Sequence, residues 1–267
     1  MLHIINSDKR NSKDQPNMIH FIVQARSGST RMPNKILLPF YDGKSILDLL
    51  IEKLKRVKDT QVIIATSVNP NCDPIEEVAK KHEVLCFRGS ENDVLQRFID
   101  AAEANNAERL IRVCSDNPFL ELSSINKLVS YANEHNSDLD YIGFNINGVP
   151  SIKTHYGFWT EYVTLKALKQ VKSMTDENLY HEHVTNYVYG NPDKFKIEWI
   201  EGPNVINAHP DIRLTIDTQD DFCNAQEIYA DICNKNPYPT IEDIVAYLDE
   251  HREYYESMKS QIVKNSK

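Results

Sequence analysis

Arg26, Arg31 and Lys35 fall close together in the stretch IHFIVQARSGSTRMPNKILLP, Ile19 to Pro39, among Gln24, Ala25, Ser27, Gly28, Ser29, Thr30 and Asn34. Concentrated positive charge, small hydroxyl donors and a Gly that lets backbone N–H groups approach closely are what a polyphosphate requires. The spacing fits neither G-x-x-x-x-G-K-[ST] nor G-x-G-x-x-G, so the common ATPase and dinucleotide loops do not apply. Two carboxylates could supply the complementary chemistry. Asp116 lies in Ser115-Asp116-Asn117-Pro118, and Asp217 opens Asp217-Thr218-Gln219-Asp220-Asp221. Each also suits a turn or helix cap. A nucleoside triphosphate arrives with Mg2+, which takes one or two carboxylates together with phosphate oxygens and water. Asp116 and Asp217 are therefore the expected Mg2+ ligands, with Asp220 and Asp221 ranked behind Asp217.

Strands must place these groups at one edge. Ile19 to Ala25 is a short apolar run of the buried parallel kind, and it delivers the basic loop at its carboxyl end, where open α/β sheets bind ligands. Helical spacing over Ser45 to Val57, with Ser45 as cap and Asp48 three residues on, precedes a strand at Gln61 to Thr66. A helix over Asp73 to Lys81, a strand over Glu83 to Phe87 and a strand over Glu108 to Cys114 continue the alternation. A helix over Leu122 to His135 and a strand over Asp140 to Asn145 follow. The pattern predicts an α/β fold with a doubly wound, mostly parallel sheet. Ser90 and Asp93 form a capping arrangement before the helix that carries Arg97. Ile212 to Ile216 reads as a further strand that ends at Asp217, and the pattern then predicts helices from Asp217 toward Lys235 and from Thr240 to Asn265.

Between Gly148 and Gly202 the alternation breaks, with helical runs over Leu165 to Val171 and Glu177 to Tyr189. His181 and His183 lie two apart and do not share a helix face, so they stay outside the metal site. The chain of 267 residues with 41% hydrophobic content is expected to form one domain over 18–267. Residues 1–17 read as a mobile polar extension, and Met18 is an alternative start. A net charge of -9 argues against nucleic acid as a partner. No apolar run reaches membrane-span length and no secretion signal is evident, which predicts a cytoplasmic protein. The five cysteines, Cys72, Cys86, Cys114, Cys223 and Cys233, suggest neither a disulfide framework nor a zinc site.

Ala25-Arg26-x-Gly28-Ser29-x-Arg31-x-Pro33-x-Lys35 resembles the signature loop of the cytidylyltransferases that activate sugar acids, the CMP-3-deoxy-manno-octulosonate and CMP-sialate synthetases. The likeness is greatest to the branch named after spore coat polysaccharide biosynthesis protein F. Asn34 stands where that family commonly has Gly, and Ser115 where its G-D-x-P motif has Gly. Gly89-Ser90-x-x-Asp93-Val94-Leu95 resembles the segment lining the cytidine pocket, and Asp217-Thr218-x-x-Asp221 resembles the family's D-T-x-x-D motif. The resemblance implies a nucleotide-diphospho-sugar transferase-like fold that transfers CMP from CTP to a small acceptor with release of pyrophosphate, and a homodimer. CTP would touch Gln24, Ala25, Arg26, Gly28, Ser29, Lys35, Gly89 and Ser90, and catalysis would rest on Arg26, Arg31, Lys35, Asp116 and Asp217. Residues 148–202 would form an inserted acceptor and dimer subregion, with Tyr156 and Glu161 as acceptor contacts. Two other readings compete: a glycosyltransferase of related fold, for which Asp138-x-Asp140 offers a D-x-D pair, and a non-catalytic nucleotide-binding protein.

Overall fold

The computed structural model describes residues 18–29, 31–135 and 138–265; the expected 1–17 extension and Thr30 lie outside the described residues. In chain order the elements are β1 Ile19–Gln24, β2 Pro39–Tyr41, β3 Lys44–Ser45, α1 Ile46–Leu54, β4 Thr60–Ser67, α2 Asp73–Lys81 and β5 Leu85–Gly89. They continue with α3 Val94–Ala104, β6 Arg109–Cys114, α4 Leu122–Glu134, β7 Tyr141–Ile146, β8 Val149–Pro150, β9 Glu161–Thr164 and α5 Leu165–Met174. The last are α6 Asn178–Glu182, α7 Asn186–Gly190, β10 Ile197–Glu201, α8 Gln219–Cys233, α9 Ile241–Glu250 and α10 Glu253–Asn265.

Among the described residues the main sheet runs β10-β7-β9-β6-β1-β4-β5, with β8 paired to β7. β1 is central and parallel to both β4 and β6, with Gln24 level with Ala65 and Cys114. β9 reverses direction, antiparallel to β6 and β7, as does the short β8 against β7. The segment where the alternation breaks therefore builds the sheet, supplying β8, β9 and β10. Alternation along β1 divides the core. Ile19, Phe21 and Val23 pack with α1, α4, α8 and α9 on one face, and Ile22 packs with α3 and α5 on the other. Helices on both faces make the sheet doubly wound, as expected.

The local caps explain why the elements begin where they do. Ser45 and Asp48 form a capping box at α1, and Thr218 and Asp221 form one at α8. At α3 the cap is Asp93, whose carboxylate accepts from the Gln96 N–H at 2.9 Å, while Ser90 Oγ accepts from the Asp93 N–H. Three expectations are corrected. The helix expected over Glu177 to Tyr189 is broken between α6 and α7, where Thr185 turns its hydroxyl inward to Glu161 at 2.8 Å. The terminal helix is parted at His251, whose backbone leaves helical geometry (φ -121°, ψ 61°). Ile212 to Ile216 is not a strand: its N–H groups go to no ladder but to loop carbonyls, from Leu214 to His155 and from Ile216 to Asp116, and from Arg213 to the Met258 sulfur.

Candidate active site

The loop after β1 folds back on itself. The Ser27 carbonyl accepts N–H groups from Ser29 (3.0 Å) and Asn34 (3.1 Å), and the Asn34 carbonyl accepts from Leu37 (2.8 Å). Asn34 closes the turn in the left-handed region at φ 59°, a conformation that Asn tolerates better than most side chains. Met32 and Ile36 are buried and anchor the loop to the core. Between those anchors Lys35 is drawn inward, its side chain only 12% exposed.

The Lys35 ammonium is where the two predicted carboxylates meet. Its Nζ stands 3.3 Å from Asp116 Oδ2 and 3.8 Å from Asp217 Oδ1, and it also donates to the Ile216 carbonyl. Arg31 Nη2 reaches the same Asp217 oxygen at 3.2 Å. Asp116 follows β6, beside Ser115, whose hydroxyl donates to the Gln24 carbonyl at 2.7 Å. Ser115 is not among the residues with positive φ, so the side chain replacing the family's Gly fits ordinary backbone. Asp217 reaches the site without a strand. The Ile216 N–H donates to the Asp116 carbonyl at 3.0 Å, which fixes the last turn before it. At Gly157 (φ 74°) an added Cβ would stand 3.1 Å from the Leu214 carbonyl carbon, so the crossing chain can press against this segment only without a side chain.

A buried pair holds Asp217 from behind. Arg213, its side chain 0% exposed, donates from Nε to Asp221 Oδ1 (2.8 Å) and from Nη2 to Asp221 Oδ2 (3.0 Å) and Asp217 Oδ2 (2.9 Å). Burial opposes both charges, but the pairing outweighs it: the Asp221 pKa lies below, and the Arg213 pKa above, its ordinary value. Arg213 Nη1 faces His155 Nδ1 at 2.9 Å. A guanidinium only donates, so that ring nitrogen accepts and is not free to act as a base. Burial, with Arg213 second, lowers the His155 pKa.

Arg26 stands apart from this cluster, 3.6 Å from Glu182 across a largely exposed gap. Gln24 is held by Arg112, which donates to its Oε1 from Nη2 (3.1 Å) and Nε (3.3 Å). Gly89 ends β5, and Ala25 extends β1 by donating to the Ala65 carbonyl at 3.3 Å. Gly28 lies beside Glu91, and Ser29 Oγ accepts from the Met32 N–H at 3.3 Å. Glu161 and Tyr156 face inward. Glu161 is engaged by Arg112 (2.6 Å), Tyr141 (2.5 Å) and Thr185, and Tyr156 packs against Phe158 and Trp159. Those contacts account for both residues without an acceptor. His181 Nδ1 lies 3.0 Å from Asp93, and Asp140 accepts the Lys196 N–H.

Among the described residues no group of three or more His, Cys, Asp and Glu side chains could hold a metal unaided. Two hard carboxylates converging on one ammonium nevertheless fit a cation that completes its shell with phosphate oxygens. Arg213 and Lys53 were not singled out as site residues in the sequence; their signals were a cation inside the apolar IRLTI run and a lysine on the buried face of α1. Asp221, ranked there behind Asp217 as a metal ligand, is taken up by Arg213.

The model of the family described as Cytidylyltransferase matches residues 20–262. The chain belongs to the cytidylyltransferase family. It is 33% identical over 219 residues to the spore coat polysaccharide biosynthesis protein SpsF of Bacillus subtilis, covering 80% of this chain and 87% of that one. Among solved structures, a cytidylyltransferase from Leptospira borgpetersenii superposes with a TM-score of 0.77 at 29% identity, covering 88% of this chain and 95% of its own. A CMP:2-keto-3-deoxy-manno-octonic acid synthetase complexed with CTP shares the fold at a TM-score of 0.60 and 13% identity, over 79% of this chain and 98% of that one. No helix among the described residues is long and apolar enough to cross a membrane.

Proposed function

We propose that this cytidylyltransferase transfers CMP from CTP to a sugar acid or related acceptor in surface polysaccharide or glycoconjugate biosynthesis, as a Mg2+-dependent cytoplasmic homodimer. The observation that carries the reading is the convergence of Asp116 and Asp217, from distant parts of the chain, on Lys35 of the basic loop. An acceptor oxygen forms a bond to the α-phosphorus, the bond from that phosphorus to the pyrophosphate oxygen breaks, and the hydroxyl proton leaves to solvent. Lys35 and Arg31 exchange carboxylate partners for phosphate oxygens, while Arg26 closes from the Glu182 side. Asp116 and Asp217, freed in that exchange, would hold Mg2+, which when bound would polarise the α-phosphate and neutralise charge on the leaving group. Positioning and charge neutralisation supply the rate enhancement, because little covalent chemistry falls to the protein. Gly89, Ser90 and the backbone of Ala25, Gly28 and Ser29 line the nucleoside end in this reading.

The test is pyrophosphate release by the full chain with each of the four nucleoside triphosphates, Mg2+ and a panel of sugar acids and sugar phosphates. Release that requires CTP and an acceptor, and vanishes in Asp116→Ala and Asp217→Ala, is the expected result. Absence of both turnover and Mg2+-dependent CTP binding would sink the reading. Sedimentation of the same sample checks the dimer.

A further inference from the structure

Arg97 heads the largest side chains that are completely buried, at 0% exposure. It lies near the start of α3, where long side chains lean back toward the helix N-terminus. That lean carries its guanidinium to the Ser90 carbonyl, to which Nη1 donates at 2.5 Å. Nε and Nη2 are buried and have no hydrogen-bond partner among the described residues. These two nitrogens present parallel N–H bonds along one edge of the guanidinium plane, the edge used in bidentate recognition. A buried cation with two unpaired donors is costly, and an apolar side chain of the same length would avoid that cost.

The position of this edge connects it to the nucleoside end of the site. A Cβ on Gly89 would stand 3.0 Å from Arg97 Cγ and 2.8 Å from Phe87 Cε1, so β5 lets the arginine pass only because it ends in Gly. Burial lowers the Arg97 pKa to about 10, with Arg26 of the basic loop as the next contributor, so it stays charged at neutral pH. Charges from the neighbouring loops, those of Arg26, Glu91 and Asp93, act on it, and those loops are joined to one another. Glu91 accepts from Asn69 Nδ2 at 2.9 Å, an added Cβ on Gly28 would stand 3.8 Å from Glu91 Oε1, and Ser27 Oγ lies 3.3 Å from Cys72 Sγ. Together they form a clasp at the carboxyl ends of β1, β4 and β5.

We propose that Arg97 reads the nucleobase: when the clasp opens, its Nε and Nη2 donate to N3 and O2 of cytosine. The assignment rests on the reading of the chain as an enzyme that binds CTP. Cytosine offers two adjacent acceptors, N3 and O2, to a paired donor. Uracil and thymine carry a hydrogen on N3 and set a donor against a donor, so the same fork rejects them. Selectivity for CTP over UTP then resides in one side chain, and the unpaired state of Arg97 is matched by the ligand it selects.

The test measures binding of Mg·CTP and Mg·UTP to the full chain by calorimetry, for the wild type, Arg97→Met and Arg97→Lys. Met keeps the length without charge. Lys keeps the charge and a donor for Ser90 but lacks the fork, and thermal unfolding confirms that each variant is folded. The wild type is expected to favour CTP, and both variants to lose roughly tenfold to a hundredfold in CTP affinity while UTP binding changes little, so that discrimination collapses. A folded variant that keeps the wild-type CTP-to-UTP ratio, or a wild type that binds both equally, would overturn the assignment. A wild type that binds neither nucleotide would instead refute the cytidylyltransferase reading, and the assignment with it.

Discussion

At the scale of single residues, the site stores its charges in mutual contact. Lys35 and Arg31 lie against Asp116 and Asp217, partners that the proposed binding of CTP would exchange for phosphate oxygens. Asp116→Asn and Lys35→Met should each lower kcat/KM for CTP by about a hundredfold or more, since each removes a charge aimed at the reacting phosphates. The double variant should fall little further, because groups that act as one unit are not additive. Steady-state pyrophosphate release checks both statements; full additivity would place the two residues in separate roles. Asp221 differs in kind. Its carboxylate is 4% exposed and faces an Arg213 side chain with no exposure at all, so Asp221→Asn leaves a buried cation short of its main partner. A loss of about 3–5 kcal/mol in urea unfolding is expected. The Asp221 pKa is lower in the folded protein than its ordinary value. Its contribution is therefore complete above about pH 4, the unfolded carboxyl pKa, and disappears as pH falls through the folded value. Wild type and Asp221→Asn should converge in stability across that acid window.

At the scale of elements, α1 braces the loop that carries Asp116. Lys53, on the buried face of α1, donates to the carbonyls of Pro118 (3.0 Å) and Leu120 (2.7 Å). Complete burial lowers its pKa to about 8, with Cys233 and Glu121 offsetting only part of the effect. An unfolded lysine releases its proton near pH 10.4, so between about pH 8 and 10 the unfolded chain binds more protons at this position and stability rises with pH. The stability of wild type relative to Lys53→Met should rise by at most about 3 kcal/mol over that interval. A flat difference in denaturant midpoints would mean that the ammonium is not desolvated. What the sequence revealed of these elements follows from where their information lies. The β1 strand, the α1 capping box and the α2 limits are written in local apolar spacing and cap residues, and they were legible. Ile212 to Ile216 was misread because its apolar residues Ile212, Leu214 and Ile216 alternate like a strand's, while partners of its N–H groups, His155 and Asp116, are distant in sequence. The breaks at Thr185 and His251 were hidden likewise, one by an inward hydroxyl bond to Glu161 and the other by a backbone turn without Gly or Pro.

At the scale of the molecule, a central strand flanked by parallel neighbours brings distant segments to one edge. β1 delivers the cations, β6 delivers Asp116, β5 delivers Gly89 and Ser90, and a loop docked on the Asp116 carbonyl delivers Asp217. Lys35 and Asp116 are 81 positions apart in the chain, and Lys35 and Ile216 181. A ligand spanning these segments adds a tie at the edge where the backbone ladders and loop hydrogen bonds end and the remaining contacts are partly exposed ion pairs, which contribute little to stability in water. Binding to the folded state alone adds RT ln(1 + [L]/Kd), about 2.7 kcal/mol at one hundred times Kd. For a chain of this size that corresponds to a rise of roughly 5–10 °C in Tm. Mg·CTP should produce that rise. CTP with a chelator should produce less, because the carboxylates would then face the triphosphate without a cation between them. Asp116→Asn, with one such carboxylate removed, should narrow the gap between the two conditions. Thermal unfolding under the two conditions, for wild type and variant, checks this; an equal shift with and without Mg2+ would separate the acidic pair from nucleotide binding and leave the triphosphate to the basic loop alone.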